Sequence, residues 1–260
     1  MTGNHIVHDS YEFRPATLEN SLDIFKDEWV STLPGYPSGG VSLFEDRRVA
    51  WAFEQAGGVA GKTVLELGPL EGGHTYMLSK AGAKDIISVE ANSRCYLKCL
   101  ITSQLYDLKN VKFLYGDFVG YLKSTTKKFD YIHAAGVLYH LVEPVEFLNM
   151  LCKASNMIYL WTHYADLTAM PESDPRYVAG IVQQEDHIFN GMTYKAYRRR
   201  YLGDPNSDHK FCGGIHLDPV WIEKSTILKI LSSNEFSYQV EHDMPNHQNG
   251  PCCSILAKKA

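Results

Sequence analysis

Residues 64–73 read Val-Leu-Glu-Leu-Gly-Pro-Leu-Glu-Gly-Gly and decide the fold. The apolar run 63–67 predicts a buried parallel strand, which breaks at Gly68 before a helical pattern resumes at Gly72. These two glycines have no side chain where a ligand must lie against the backbone, and Glu66 places a carboxylate at the strand's end. Strand, glycine turn and helix together predict a small-ligand site, although such a turn can also be purely structural.

The chain has 260 residues and an apolar fraction of 45%, as expected for one large α/β domain with an embellishment. Its net charge of -5 argues against a broad electrostatic contact with nucleic acid, although it leaves room for a local basic patch. A small-molecule partner is therefore favoured, and binding to nucleic acid is not expected.

The six cysteines contain no Cys-x-x-Cys pair, which argues against a zinc site or a disulfide framework and favours reduced thiols. No apolar segment approaches the roughly 20 residues that span a bilayer, and the polar N-terminal stretch is not signal-like. We therefore expect a cytoplasmic protein without a membrane partner. The oligomeric state is left open.

Strand and helix patterns alternate after the opening stretch, and two strand-like runs follow near the C-terminus with a short polar link between them. The predicted strands are 63–67, 85–90, 111–115, 129–133, 156–161, 236–242 and 252–258. Alternation of this kind predicts an α/β fold with a doubly wound, mostly parallel seven-stranded sheet that ends in a C-terminal antiparallel hairpin.

The chain divides into four predicted regions. They are an N-terminal arm and helical cover (1–58), a ligand-binding core (59–164), an insertion that caps the substrate (165–217) and the C-terminal part of the core (218–260). In the first region, the apolar stripe over Leu18–Leu33 predicts a helix. In the last, Asp218 and Pro219 predict the N-cap and first turn of a helix that reaches Ser233.

The insertion contains a basic aromatic run, Tyr194 to Tyr201. Such a run is most often a solvated helical face, but it could also meet an acidic substrate, a phosphate or RNA.

A dinucleotide-binding protein would also have a glycine turn, followed about twenty residues later by an acidic residue, here Glu90. Its fingerprint is G-x-G-x-x-G, whereas this turn lacks the middle glycine and contains Glu71. A carboxylate in the turn would repel a pyrophosphate, and it favours a ligand that carries an amino-acid tail instead.

Several motifs in order resemble those of class I S-adenosylmethionine-dependent methyltransferases. They are Val64-Leu-Glu-Leu-Gly-Pro-Leu-Glu-Gly72, Ser88-Val-Glu-Ala-Asn92, Gly116-Asp-Phe118, Phe129-Asp-Tyr-Ile132 and Gly136-Val-Leu-Tyr-His-Leu141. The resemblance runs from about residue 41 to the C-terminus, except for the insertion. It implies the Rossmann-like methyltransferase fold, S-adenosylmethionine as cofactor and S-adenosylhomocysteine as product.

The resemblance also implies roles for individual residues. The strand end and glycine turn would line the methionine end of the cofactor, Glu90 would bind the ribose hydroxyls, and Asp117 and Phe118 would contact the adenine. The full set of implied cofactor residues is Glu66, Gly68, Pro69, Gly72, Glu90, Ala91, Asp117, Phe118 and Ala135.

Ligands in open α/β sheets lie beyond the carboxyl ends of the strands, where the fourth and fifth strands offer Tyr139, His140, His163 and Tyr164. The first three are candidate catalytic residues, all four are candidate substrate contacts, and His140 is the hypothetical base. Tyr139 and His140 could equally well have a purely structural role, in which they pack or orient the following helix. Because these strand ends lack carboxylates, we expect no metal requirement.

The sequence therefore predicts a methyltransferase acting on an O or N of a small-molecule metabolite. Two alternatives remain: a tRNA-modifying enzyme, and a non-catalytic binding module with the same fold.

Overall fold

The computed structural model describes residues 11–201 and 213–259. The first ten residues of the predicted arm, and 202–212 of the predicted insertion, lie outside this range. The strands described are β1 Thr63–Leu67, β2 Asp85–Glu90, β3 Val111–Tyr115, β4 Tyr131–Ala135, β5 Met157–His163, β6 Ile181–Phe189, β7 Met192–Arg199, β8 Val220–Ile222, β9 Phe236–Met244 and β10 Cys252–Lys259.

The α-helices described are α1 Arg47–Gln55, α2 Gly73–Lys80, α3 Ser93–Leu105, α4 Phe118–Ser124, α5 Pro144–Ala154, α6 Pro175–Gly180 and α7 Lys224–Ser233. Short 3₁₀ helices cover Glu19–Phe25, Leu43–Glu45 and Leu138–His140. In the ranges that the structure describes, no helix is long and apolar enough to cross a membrane.

The main sheet has seven strands in the order β3-β2-β1-β4-β5-β10-β9. Strands β1 to β5 pair in parallel, and β10 pairs antiparallel with both β5 and β9. The predicted fold class, including its C-terminal hairpin, is confirmed. Because the order reverses between β1 and β4, a crevice opens at the carboxyl ends of these strands.

The core lies on both faces of this sheet. The β1 side chains Val64, Leu65 and Leu67 are at most 1% exposed, as a strand covered by helices on both faces requires. On one face Leu65 and Leu67 pack with α5, which begins at Pro144. Val64 packs in a separate cluster on the other face.

A second, three-stranded sheet has the order β6-β7-β8. The basic aromatic run falls on β7, so the prediction of a solvated helical face is wrong. Tyr194 and Ala196 are buried there, and Arg199 lies 4.1 Å above the Trp221 ring. Aromatic residues and burial that alternates along the chain favour a strand. A two-residue periodicity in this run is therefore the sequence pattern that indicates β7.

The helix predicted from Asp218 begins later, at Lys224, with Glu223 as its N-cap residue. The residues in between form β8, in which Trp221 and Ile222 pair with β7 instead of lining a helix. This short run of β-branched and aromatic residues gains more by pairing with β7 than by extending the helix.

The N-terminal helix predicted over Leu18–Leu33 is also wrong, because only its first part is helical and Ser31 forms a β-bridge with Val41. The backbone N–H groups of Val30 and Ser31 each donate to the Glu71 carboxylate at 2.9 Å. These donors, which a helix would use internally, are held by a distant side chain instead.

Helix α3 buries a lysine and exposes two leucines. Leu97 and Leu100 are 38% and 41% exposed, whereas Lys98 is completely buried. Its Nζ lies 2.9 Å from the Glu71 carboxylate and 2.5 Å from the Glu28 carbonyl oxygen. A single lysine thus joins α3, the glycine turn and the N-terminal segment.

Replacing Lys98 with Met should destabilise the protein by about 3–5 kcal/mol, because the Glu71 carboxylate would stay buried without its counter-charge. Denaturant unfolding measures the change. Lys109→Met is the matched control: its pair with Asp107 is exposed, with side chains 82% and 73% accessible, and its loss should cost about 1 kcal/mol or less. Equal losses in the two variants would contradict this account.

Candidate active site

A cavity of about 870 Å³ opens at the carboxyl ends of β1, β2, β4 and β5. Most of the predicted site residues line it together. They are Gly68, Pro69, Glu90, Ala91, Asp117, Phe118, Ala135, Tyr139, His140 and His163. The sheet therefore brings residues from five separate chain segments into one space.

Three predicted site residues do not line the cavity. Glu66 is buried beneath it and accepts hydrogen bonds from Thr75 and Ser88. Gly72 is needed for packing, since it has a φ of 79° and an added Cβ would lie 3.1 Å from the Thr102 side chain. Tyr164 is 1% exposed and its hydroxyl donates to Asp243 at 2.6 Å.

The turn after β1 is fixed by its backbone. Gly68 has a φ of 67°, and a Cβ at this position would lie 2.6 Å from the Val137 side chain. Its N–H donates to the Val89 carbonyl at 3.0 Å, and the N–H of Leu70 donates to Glu90 at 3.2 Å. Glycine is required here by both conformation and space, as the sequence predicts.

The sequence argument that Glu71 repels phosphate does not hold. Its carboxylate is 0% exposed, faces away from the cavity and is neutralised by Lys98 and two backbone N–H groups. The glycine spacing of the turn remains the feature that separates it from a dinucleotide fingerprint.

Glu90 ends β2 at the cavity wall and is 5% exposed. Burial raises the pKa of its carboxyl to about 7, although hydrogen bonds from the backbone N–H groups of Asn92 and Leu70 oppose the rise. A carboxylate has about four lone-pair positions, so two remain for hydroxyl donors from a ligand.

Asp117 follows β3 and is the N-cap of α4, where its two oxygens accept from Val119 and Gly120 at 2.9 Å each. Asp117 is therefore a helix cap, and it also lines the cavity. The neighbouring Phe118 ring lies 5.6 Å from that of Phe147.

Aromatic rings surround His163 in the other half of the cavity. Ring centroids lie 4.8 Å from it for Tyr139, 5.3 Å for Trp161 and His247, and 5.2 Å for Trp221, which stacks at 6°. Nδ1 of His163 lies 2.9 Å from the Gly250 carbonyl oxygen. Because a carbonyl only accepts, Nδ1 carries the proton and Nε2 of the neutral ring holds a lone pair.

Burial lowers the pKa of His163 to about 4, although the hydrogen bond to Gly250 opposes this. Burial likewise lowers the pKa of His140 to about 4. Nδ1 of His140 forms a short hydrogen bond with the Tyr201 hydroxyl, which also accepts from the N–H of Gly214. Both histidines are therefore neutral at pH 7. Only His163 has its tautomer fixed, because its Nδ1 faces a carbonyl oxygen, which can only accept a hydrogen bond.

Arg48 and His74 are among the cavity residues that were not predicted from the sequence. The Arg48 guanidinium lies 4.4 Å above the Trp161 ring, and its Nε and Nη2 donate to Asp46. His74 Nε2 lies 3.1 Å from the same carboxylate. Asp46 was recognisable as a helix N-cap, but nothing in the local pattern placed α1 beside the cavity.

Within 11–201 and 213–259, two groups of side chains offer ligand atoms within 4.8 Å of one another: His163 with His247 and Cys252, and Glu66 with His74 and His133. In the first group, burial raises the pKa of the Cys252 thiol to about 11, which disfavours the thiolate that metals bind. His247 Nδ1 accepts from the N–H of Asn249 at 3.2 Å. The expectation of no metal requirement stays a prediction.

A methyltransferase domain family matches residues 59–210, more than half of the chain. The chain belongs to this family. It is a class I S-adenosylmethionine-dependent methyltransferase, and S-adenosylmethionine is its cofactor. No curated protein matches this methyltransferase significantly.

Solved structures share the methyltransferase's fold at low identity. The N-terminal domain of EvdMO1, determined in the presence of S-adenosylhomocysteine and D-fucose, is 20% identical with a TM-score of 0.66, covering 94% of this chain and 95% of that one. Magnesium protoporphyrin IX methyltransferase from Synechocystis PCC 6803, with bound S-adenosylhomocysteine, is 16% identical with a TM-score of 0.55 and coverages of 82% and 80%. The CcbJ methyltransferase from Streptomyces caelestis is 13% identical with a TM-score of 0.54 and coverages of 90% and 97%.

The methyltransferase's His163 should stay neutral, with the proton on Nδ1, from pH 8 down to about pH 5, and should protonate only as the pH approaches about 4. Nitrogen-15 NMR of the histidine-labelled protein measures both the tautomer and the titration, and His163→Gln assigns the signal. A ring protonated at pH 6, or a neutral ring with its proton on Nε2, would show that this geometry is wrong.

Proposed function

We propose that this methyltransferase acts on an O or N of a small polar molecule. The observation that carries the proposal is the single cavity of about 870 Å³, which joins Glu90 and Asp117 at one end to His163 at the other. Ligand cavities usually measure about 300–1,000 Å³, so a volume near the upper limit suits a cofactor and a small acceptor together.

The first half of the cavity suits the cofactor by its chemistry. Glu90 has lone pairs for two ribose hydroxyls, and Asp117 has lone pairs for the adenine amino group while Phe118 packs on the ring. The Nη1 of Arg48 donates to no residue in the described ranges, so it can bind the carboxylate of the methionine tail. Ala91 and Ala135 are small residues that leave room for the cofactor.

S-adenosylmethionine, when bound, supplies an electrophilic methyl group on a sulfonium sulfur. The residues around the cavity contribute alignment and exclusion of water, which are the main requirements of an in-line methyl transfer. Four rings pack around His163, of which Trp221 is buried and Tyr139, Trp161 and His247 are half-buried, and they limit the access of water to the reacting atoms.

His163 is the group that takes the proton from an O–H or N–H acceptor. The carbonyl of Gly250 holds its Nδ1–H and leaves Nε2 unprotonated. His140, the base hypothesised from the sequence, instead shares its Nδ1 with Tyr201, and Tyr139 packs between the two histidines, with ring centroids 4.2 and 4.8 Å away. We therefore assign His140 and Tyr139 to the substrate wall.

Part of the predicted insertion supports its role as a substrate cap, because 213–216 line the cavity and Gly214 lies against His140. The basic run beside it gives no separate support to an RNA substrate, since Arg199 stacks on Trp221 and Arg200 pairs with Asp218. A small molecule remains the proposed acceptor, and a cytoplasmic location stays a prediction from the sequence.

Affinity for S-adenosylhomocysteine should rise about tenfold between pH 6 and pH 8. The pKa of Glu90 is about 7 in the empty cavity, and hydrogen bonds from the ribose favour the carboxylate, so binding lowers this pKa. The affinity is then highest above pH 7, where Glu90 is mostly ionised, and it weakens as the pH falls. Calorimetry measures the profile, which should be flat in Glu90→Gln. An unchanged profile in that variant would remove Glu90 from the cofactor site.

His163→Gln should lower the methylation rate by about 10²–10⁴-fold, because glutamine cannot take up a proton. Its affinity for S-adenosylhomocysteine should change less than about threefold. His140→Gln is the matched control and should lose about tenfold or less. The rate is measured with an acceptor from a screen of sugars, phenols and amines, with D-fucose as the first probe. A larger loss in His140→Gln than in His163→Gln would reverse the assignment.

A further inference from the structure

The link between β9 and β10, residues 245–251, contains the carbonyl that fixes the tautomer of His163. Four residues of this link are exposed: Pro245, Asn246, Gln248 and Asn249. Gly250 is buried, and its carbonyl accepts from Nδ1 of His163 at 2.9 Å. The contacts that hold Gly250 in this mostly exposed link therefore help to set the protonation pattern of His163.

Gly250 is held from both directions along the chain. Its N–H donates to the His247 carbonyl at 3.0 Å. On the other side, the Pro251 carbonyl accepts from the backbone N–H of Tyr164, the residue after β5, at 2.9 Å. The main sheet thus fixes the Pro251 side, whereas the His247 side needs an anchor outside the sheet.

Arg176, on α6 of the insertion, supplies this anchor. Its Nη1 donates to the His247 carbonyl at 2.9 Å and to the Pro245 carbonyl at 3.4 Å. Its Nη2 donates to the carbonyl of Ala169, in the segment before α6, at 2.8 Å. One guanidinium group therefore joins the insertion to the same carbonyl that accepts from Gly250.

A carboxylate holds this guanidinium in one orientation. Asp174 is the N-cap residue of α6, and its two oxygens accept from Nε and Nη2 of Arg176 at 2.9 and 2.8 Å. Together with the three carbonyls, the carboxylate gives each of the five N–H donors of Arg176 an acceptor. A lysine has three donors on a rotating ammonium group, so it cannot reproduce this planar set of contacts.

A second arginine of the insertion, Arg199, makes a weaker contact with the same link. Its Nη1 lies 3.4 Å from the Asn249 carbonyl oxygen, and its guanidinium lies 4.1 Å above the Trp221 ring. This geometry directs Arg199 mainly at Trp221. Arg176 is therefore the arginine whose hydrogen bonds hold the His247 carbonyl in place.

We propose that Arg176 is a positioning residue for His163. By holding the His247 carbonyl, it keeps Gly250 in the position from which its own carbonyl accepts the Nδ1 proton of His163. The insertion then orients the proposed base in addition to covering the substrate half of the cavity. The effect on methyl transfer rests on the role proposed above for His163, whereas the effect on its tautomer does not.

Nitrogen-15 NMR of the histidine-labelled protein with bound S-adenosylhomocysteine tests the proposal directly. In Arg176→Met the His163 proton should distribute between Nδ1 and Nε2, and its exchange with solvent should quicken about tenfold or more, because local opening of the link becomes easier. Arg176→Lys should show most of the same change. Arg200→Met is the matched control and should resemble the wild type, because Arg200 is 65% exposed and pairs only with Asp218 among the described residues.

The methylation rate tests the consequence for catalysis. In Arg176→Met kcat should fall about tenfold or more, because a misplaced base is used less efficiently. The acceptor is the one that the screen above identifies, beginning with D-fucose. Affinity for S-adenosylhomocysteine should change less than about threefold, since the cofactor half of the cavity lies away from the link.

A wild-type tautomer and exchange rate in Arg176→Met would overturn the proposal, as would an equal change in Arg200→Met or full recovery in Arg176→Lys. If Arg176→Met does not fold, Asp174→Asn decides the matter. This variant keeps an oxygen for the helix cap but loses the bidentate pair, so it should shift the His163 tautomer in the same direction, and an unchanged tautomer would overturn the proposal.

The role proposed for His163 can fail separately. If Arg176→Met changes the tautomer but His163→Gln methylates at the wild-type rate, His163 is not the base and its positioning by Arg176 stands. If Arg176→Met loses activity without any change at His163, the positioning role is overturned.

Discussion

A buried ion pair organises the glycine turn of this methyltransferase. Glu71 and Lys98 are both completely inaccessible, and the carboxylate also binds two backbone N–H groups of the N-terminal segment. Because an isolated buried charge is costly, each partner requires the other, and the three segments that carry them must assemble together. These contacts hold the turn between β1 and α2 on the side away from the cavity, and its other side is open toward the cavity.

The sequence predicted the main sheet well, because parallel strands buried on both faces produce apolar runs that end at glycine or polar residues. It predicted the N-terminal segment and β8 poorly, since both depend on partners distant in the chain. Val30 and Ser31 lie in a stretch with a helical apolar pattern, yet a carboxylate about forty positions away accepts hydrogen bonds from their N–H groups. Local periodicity contains no information about such a contact.

The candidate site also has residues whose positions the sequence predicted and residues whose positions it did not. Strand-end residues such as Glu90 and His163 lie together along the cavity because the topology of a parallel sheet brings those ends together, which the sequence could predict. Glu66 does not line the cavity, because strand residues alternate between the two faces of the sheet and its register neighbour is the buried His133. Arg48 was missed because its position depends on how α1 packs, which no motif records.

The link between β9 and β10 both holds the His163 ring and forms part of the cavity wall. The carbonyls of Gly250 and Pro251 accept from Nδ1 of His163, and the same link contributes His247 and Asn249 to the cavity wall. Gly250 has a φ of 105°, and a Cβ there would lie 2.8 Å from the Trp221 ring, so this position is closed to other residues. Exchanging the exposed residues of this one link would therefore reshape the cavity around His163, while its glycine and the two carbonyls keep the His163 ring in place.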